Sequence, residues 1–360
     1  MTIKAGEEHS YIIIINKNYA TFSMNILKSP KFYATLIWLM AGIGIQSNAL
    51  AEADEIRIAQ QWGIGYLPMA VIKSQELLEK NIKLKGLGPT KITWAKFAGG
   101  SNMNDALLSN SLDFATGGIP PFITLWSKTN GDNQVKIAAV MSQMPLYLNT
   151  NDPNIKSIKD FTEKDKIAMP AIKTSNQAVL LAIATKKQLG SENVEKINRL
   201  TVSMAHPDAT LALLNNNISA SFSAPPFQYQ QLRDPKVHTI LTSKEIMGGP
   251  FTFTASWTTI KFRKNNPKLY EAYVISMSEA INFIKNNKRA AAEIYIKESK
   301  SSESIDELME ILSSPDVEFT NTPKAVMAYS EFVFQLGLIK RKPDKWQDMF
   351  FDNVHQYSGS

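Results

Sequence analysis

The sequence predicts a two-lobed α/β protein, and three observations lead there. The chain repeats itself: Ala106 to Phe122 reads ALLSNSLDFATGGIPPF, and Ala212 to Phe227 reads ALLNNNISASFSAPPF, one residue shorter and starting 106 residues later. A period this long is not that of a solenoid, whose units run roughly 20–50 residues. Short apolar runs with strand character alternate with helix-like runs, the pattern of a parallel α/β sheet. Finally, 360 residues at 44% hydrophobic content suffice for about two cores.

Residues 1–51 read as a leader outside the fold. Lys28 and Lys31 precede Phe32 to Ile45, an unbroken run of 14 apolar, Gly and Thr residues, and Ala49-Leu50-Ala51 follows. That is a positive n-region, an h-region and an A-x-A cleavage site. The run is too short to span a bilayer, which needs roughly 20 residues. Cleavage is expected after Ala51, with translation starting at Met1 or, if residues 1–23 are an upstream extension, at Met24. Removing the leader takes away Lys4, Lys17, Lys28, Lys31, Glu7 and Glu8, and lowers the net charge from +6 to +4. The remaining lysines are scattered and form no basic stripe interleaved with aromatics, so no nucleic-acid partner is expected. The chain has no cysteine. Disulfides, thiolate metal sites, Cys nucleophiles and a lipid-modified cysteine anchor are thereby excluded. Export without a lipid anchor fits a periplasm.

Within the fold, Glu55 to Ala59 alternates as a first strand, and Tyr66 to Lys80 carries Leu67, Ala70, Val71, Leu77 and Leu78 on one side of a helix. Ile92 to Phe97 is a strand. Gly99-Gly100-Ser101-Asn102 is a turn with a helix N-cap, and Met103 to Leu108 the helix. Leu112 to Ala115 is a strand, Pro120 to Lys128 a helix and Val135 to Met141 a strand. Leu146 to Thr150 connects to a second series: strand Lys166 to Met169, helix Ser175 to Leu189, strand Leu200 to Ser203, helix Pro207 to Leu214, strand Ile218 to Phe222, helix Pro225 to Leu232 and strand Val237 to Leu241. Gly248-Gly249-Pro250 breaks the pattern before an aromatic strand, Phe251 to Trp257. Helices then follow at Leu269 to Lys285, Arg289 to Lys297, Ser304 to Leu312 and Pro323 to Phe334, expected to pad the outside of the first lobe. Both repeat copies read as helix, Asn-containing turn, strand, small-residue turn and Pro-Pro-Phe; Pro suits a first helical turn because the N–H it lacks would be unpaired there.

A resemblance rests on ordered motifs. Gly63-Ile64-Gly65-Tyr66-Leu67-Pro68 follows the first strand. Gly99-Gly100-Ser101-Asn102, Asp105-Ala106-Leu107 and Leu112-Asp113-Phe114-Ala115-Thr116-Gly117-Gly118 come next. Ile158-Lys159-Asp160-Phe161, Pro207-Asp208-Ala209, Leu213-Leu214 and Ala224-Pro225-Pro226 complete the series. From about Ile56 to Trp257 the chain resembles the nitrate/sulfonate/taurine group of ABC-transporter substrate-binding proteins. The resemblance implies a type II periplasmic-binding-protein fold: two lobes, two hinge crossings near Met144 to Thr150 and Gly248 to Trp257, and extra C-terminal helices. It implies lobe 1 over 52–145 plus 252–360 and lobe 2 over 146–251. It also implies closure on a small-molecule ligand and docking, as a monomer, on a membrane permease driven by an ATPase. The chain departs from the family where Ala224 replaces an acidic residue and where no motif position is Arg; Lys173 is the nearest basic candidate.

In open α/β sheets ligands bind beyond the carboxyl ends of strands, where helix N-termini offer unpaired N–H groups. Ser101 and Asn102 open one helix; Thr174, Ser175 and Asn176 open another. Capping alone also explains Ser and Asn at such positions. Gly117, Gly118 and Ile119 follow the strand of the first repeat, where Gly permits close approach or simply a turn; Ala224 and Pro225 hold the equivalent place in the second. Gln61, Trp62 and Tyr66 follow the first strand, and Phe227 and Trp257 are aromatics near predicted turns or strand ends. Aromatics suit an organic ligand body, and equally a core.

His206, His238 and His355 lack metal-ligand spacing, and no nucleophile elbow, phosphate loop or dinucleotide fingerprint is present. No metal, cofactor or catalysis is expected. Cysteine-dependent enzymes of related fold are excluded by composition, and a sensor input domain would need a membrane helix and a signalling domain before Ser360. The expected ligand is a small organic anion, sulfonate-, taurine- or nitrate-like; a neutral heterocycle such as a thiamin-pyrimidine precursor is the alternative.

Overall fold

Among the described residues of the computed structural model, eleven strands make two sheets of like plan. The structure describes residues 51–360, and residues 52–360 form one compact unit; the leader with its Met1 or Met24 start falls outside the described residues. The strands are β1 (Glu55–Gln60), β2 (Lys91–Lys96), β3 (Ala115–Gly117), β4 (Val135–Gln143), β5 (Tyr147–Thr150), β6 (Ile167–Met169), β7 (Thr201–Ser203), β8 (Ala220–Ser223), β9 (His238–Thr242), β10 (Thr252–Thr259) and β11 (Glu318–Phe319). One sheet runs β11-β4-β10-β3, and β1 with its parallel neighbour β2 joins it through a parallel bridge from Ile58 to Phe114. The other runs β7-β6-β8-β5-β9. Each therefore has three parallel strands followed by one antiparallel strand that the chain supplies on crossing over: β10 in the first sheet, β5 in the second. This is the two-lobed type II plan.

The second of the two crossings falls where Gly248-Gly249-Pro250 broke the pattern. Met144 to Leu146 leaves β4 for β5, and Gly248 to Phe251 leads into β10. β10 is buried along nearly its whole length although every second residue is Thr or Ser. Three of those hydroxyls are paired: Thr252 Oγ1 accepts from Lys324 N–H, Thr254 Oγ1 donates to the Gly65 carbonyl at 3.1 Å, and Ser256 Oγ lies 2.6 Å from the Tyr273 hydroxyl, whereas Thr258 Oγ1 is buried without a partner. Tyr273 stacks on Phe114, ring centroids 3.8 Å apart, and so ties the helix Pro267–Asn286 to the first sheet.

The repeat is reproduced atom for atom at its helix ends. Asn110 and Asn216, 106 positions apart, adopt φ of 55° and 57°. In both copies the residue after the asparagine donates back to the alanine that opens the motif, Ser111 to Ala106 and Asn217 to Ala212. This left-handed closure satisfies carbonyls that the helix end would otherwise orphan, and Asn is among the few residues other than Gly that tolerate it. The copies diverge at the prolines. Pro120 and Pro121 lie inside the first turn of the helix Ile119–Lys128, whereas Pro225 and Pro226, joined by a cis peptide, precede the helix Phe227–Gln231.

Other boundaries differ from expectation for local reasons. The single helix expected over 66–80 is two, Leu67–Ser74 and Leu77–Leu84, separated where Glu76 takes φ of 50°. The last long helix starts at Val326 rather than Pro323 because Ala325 is left-handed. The helix Ile305–Ser313 begins with a full capping box between Ser304 and Glu307. Among the described residues no helix is long and apolar enough to cross a membrane.

Candidate functional site

Two neighbouring cavities, with three wall residues in common, lie between the sheets. The inner one, about 20 Å³, is lined from the first sheet by Gln61, Trp62, Tyr66, Gly100, Gly118 and Pro121, from the second by Pro170, Ser175, Asn176, Gln177 and His206, and from the crossing strand by Phe253. The outer one, about 530 Å³, shares Gln61, Trp62 and Tyr66. Trp94, Lys96, Lys73, Tyr295, Glu298 and Lys300 wall it on one side, and Pro207, Thr210, Leu211, Phe227 and Gln230 on the other. That volume is in the range of small-molecule sites, about 300–1,000 Å³.

The loop after β1 brings Gln61, Trp62 and Tyr66 to both cavities. Gly63 sits at φ of 114°, beyond the reach of most L residues, which turns Ile64 N–H toward the second sheet, where it donates to the Pro225 carbonyl at 3.1 Å. Tyr66 is buried, and desolvation raises its phenol well above the ordinary range.

At the start of the helix Asn176–Leu189 the three expected residues divide their work. Ser175 lines the inner cavity, but its Oγ is occupied: it accepts from Ala178 N–H and donates to the Ala171 carbonyl. Thr174 does not line either cavity; its Oγ1 lies 2.8 Å from Ser101 Oγ of the other sheet. Asn176 is 3% exposed, and its Nδ2 donates to the Phe253 carbonyl at 2.9 Å. Its Oδ1 is buried without a hydrogen-bond partner. The amide lies directly over Gly118, where a Cβ would stand 2.6 Å from Nδ2 and 2.8 Å from Oδ1. Glycine at 118 is therefore an approach requirement, since its φ of −70° is open to any residue.

His206, read from sequence only as a helix starter, also faces the inner cavity. It stacks on Phe227 at 5.6 Å, and its Nδ1 lies 3.2 Å from Ser223 Oγ. Desolvation lowers its pKa to about 4, so the ring is neutral. The inner cavity is thus lined without a formal charge. In the outer cavity Lys73 pairs with Glu298 at 2.9 Å, while Lys96 has no carboxylate partner among the described residues and lies 5.6 Å from the Trp62 ring centroid. Desolvation, and then Lys73, lower the Lys96 pKa; Glu298 opposes them.

Several expected contacts fall elsewhere. Trp257 is fully buried and donates through Nε1 to Asn104 Oδ1 at 3.2 Å, so it belongs to the core. Asn102 is exposed, and the N-cap of its helix is Gly99. Ser101 bonds across the cleft instead of facing a cavity. Gly117 ends β3 against Gln61 and Trp257, and the Ile119 side chain is in the core. Ala224 is buried in the core, and Pro225 contributes its carbonyl to Ile64. The basic candidate Lys173 is paired with Glu195 at 3.3 Å, away from both cavities. Sequence reasoning missed Lys96, Trp94, Gln177 and Tyr295. Trp94 and Lys96 share one face of β2 by alternation, a signal that existed; Tyr295 arrives from a helix far along the chain and had none. Among the described residues no group of His, Cys, Asp and Glu is set to hold a metal ion.

Against known proteins, the model of the NMT1-like family matches residues 51–297. No curated protein matches the sequence. Solved structures of like fold include the alkanesulfonate-binding protein SsuA from Xanthomonas axonopodis pv. citri bound to MOPS, at 15% identity over 81% of this chain and 96% of that one, with a TM-score of 0.64. The periplasmic aliphatic sulphonate binding protein SsuA from Escherichia coli is 20% identical over 83% and 99%, TM-score 0.59. The periplasmic nitrate-binding protein NrtA from Synechocystis PCC 6803 is 14% identical over 85% and 86%, TM-score 0.60.

Proposed function

The chain belongs to the NMT1-like family, and from that premise we propose that it is a non-catalytic solute receptor of an ABC importer, binding a small organic anion between its lobes. The observation that carries this reading is the outer chamber of about 530 Å³, walled by both sheets, with aromatic faces and a lysine, Lys96, that has no carboxylate partner among the described residues. Trp62 and Trp94 offer flat apolar surface for a ligand body, and Lys96 offers a partly desolvated cation for its acidic group. Sulfonate- and nitrate-binding neighbours of the same fold support the anion class. In this reading lobe 1 comprises 52–145 with 252–360, and lobe 2 comprises 146–251. The leader is cleaved after Ala51, and the monomer works in the periplasm, delivering its ligand to a permease that an ATPase drives.

One observation favours a second reading, a neutral heterocycle: the inner cavity has no charged side chain. A thermal-shift screen against sulfonates, nitrate, carboxylates and pyrimidines separates the two. A ligand at 100 times its dissociation constant adds about 2.7 kcal/mol of stability. A rise in melting temperature with the anions, lost in Lys96→Ala, supports the anion; a rise with pyrimidines alone supports the heterocycle; no shift in any class counts against the receptor reading.

A further inference from the structure

We infer that the ligand enters the inner cavity with an uncharged hydrogen-bond donor, an amino or hydroxyl head, that meets Asn176 Oδ1. The inference rests on the receptor reading and deepens it. Its starting point is the unpartnered Oδ1 of a side chain only 3% exposed. A buried acceptor left without a donor is costly, and native structures rarely keep one without a use. The amide cannot resolve this by turning over. Its Nδ2 donates to the Phe253 carbonyl at 2.9 Å, and the reversed amide would set two acceptors against each other. The Ser175 hydroxyl beside it gives its proton to the Ala171 carbonyl, and no donor of the protein reaches Oδ1. The missing donor must therefore come from the ligand or from water it displaces.

Size and charge narrow the head further. A cavity of about 20 Å³ accepts little more than one water-sized group, which needs roughly 10–15 Å³. No carboxylate lines it, so a buried ammonium would have no counter-charge, and no lysine or arginine lines it, so an oxyanion would meet no cation. His206 is not an alternative cation, being buried and stacked on Phe227. Gln61, Trp62 and Tyr66 line both this cavity and the outer chamber, so a ligand whose head sits here would extend its body past them toward Lys96. The substrate class is thus a small organic molecule with a hydroxyl or neutral amino group at its inner end.

The test measures affinities of the purified protein by calorimetry for two matched pairs at up to millimolar concentration: isethionate with ethanesulfonate, and 4-aminopyrimidine with pyrimidine. Within each pair that binds, the member with the donor should bind about tenfold tighter or more, and Asn176→Ala should bring the ratio close to one. Equal affinity within a pair, or an unchanged ratio in Asn176→Ala, overturns the donor requirement and leaves the receptor reading intact. Which pair binds reports the charge of the ligand separately. Binding of none of the four overturns the receptor reading as stated, and this inference with it.

Discussion

Ser101 Oγ and Thr174 Oγ1 lie 2.8 Å apart, one at a helix start of the first lobe and the other just before a helix of the second. With the Ile64 N–H to Pro225 carbonyl bond, this contact joins the lobes at the rim of the cleft and leaves the interior to Gln61, Asn176 and His206. A side-chain hydrogen bond contributes about 1 kcal/mol net, and a hinge opening of the two lobes would break this one. Ser101→Ala should therefore weaken ligand affinity about fivefold by favouring the open form, with a small increase in radius of gyration by solution scattering. Thr174→Val should do the same, and the double variant should add little. Additive losses would mean that the two hydroxyls act separately.

Gly118 and Asn176 make the second close relationship between the lobes. A Cβ at position 118 would stand under 3 Å from three atoms of the Asn176 amide. Gly118→Ala should displace that amide, break its bond to Phe253 and lower affinity by tenfold or more, about 1.4 kcal/mol. The cost in stability should be relieved when Asn176 is also shortened. The measurement is a double-mutant cycle of Gly118→Ala with Asn176→Ala by denaturant unfolding, and an absence of coupling would show that the backbone itself, not the amide, objects to the Cβ.

The paired lobes were legible in sequence because the two helix ends use the same chemistry. A left-handed asparagine stands at 110 and at 216, and the residues around it recur in order. The β1 loop residues and Asn176 were legible because strand ends and helix starts mark the ligand side of an α/β sheet. What stayed hidden depends on partners distant in sequence. Nothing local says that Ser175 is consumed by Ala171 and Ala178, that Thr174 meets Ser101, or that the helix Lys288–Ser299 brings Tyr295 against the chamber. The break at Glu76 is invisible for another reason: a glutamate with φ of 50° has no sequence signature comparable to Gly or Pro.

His206 predicts a pH dependence of stability. Its folded pKa of about 4 lies below the ordinary histidine value of 6.5, because burial disfavours the charged ring. The unfolded chain then binds the extra proton between those two values, so stability rises with pH across that window and falls as pH drops from 6.5 toward 4. The full difference is about 3 kcal/mol. His206→Gln should flatten the wild-type slope in this interval when unfolding free energy is followed against pH. An unchanged slope would mean that carboxylates alone set the acid sensitivity.

Arg57 and Asp113 test whether a family motif is structural. Asp113 Oδ2 accepts from Arg57 N–H and Nε–H at 2.8 and 2.9 Å, and Oδ1 lies 2.8 Å from Nη2. Arg57 Nη1 donates onward to the Asn110 carbonyl, so one guanidinium clamps the start of β1 to the turn of the first repeat. Neither residue lines a cavity between the lobes. Hydrogen bonds to charged groups contribute about 1.5–3 kcal/mol, and Asp113→Ala leaves the guanidinium without its carboxylate. The variant should lose about 2 kcal/mol in denaturant unfolding while its affinity for any ligand found in the screen stays within about twofold of wild type. A large loss of affinity at preserved stability would instead place Asp113 in the binding machinery, because a clamp confined to the back of β1 has no route to the ligand except through the fold.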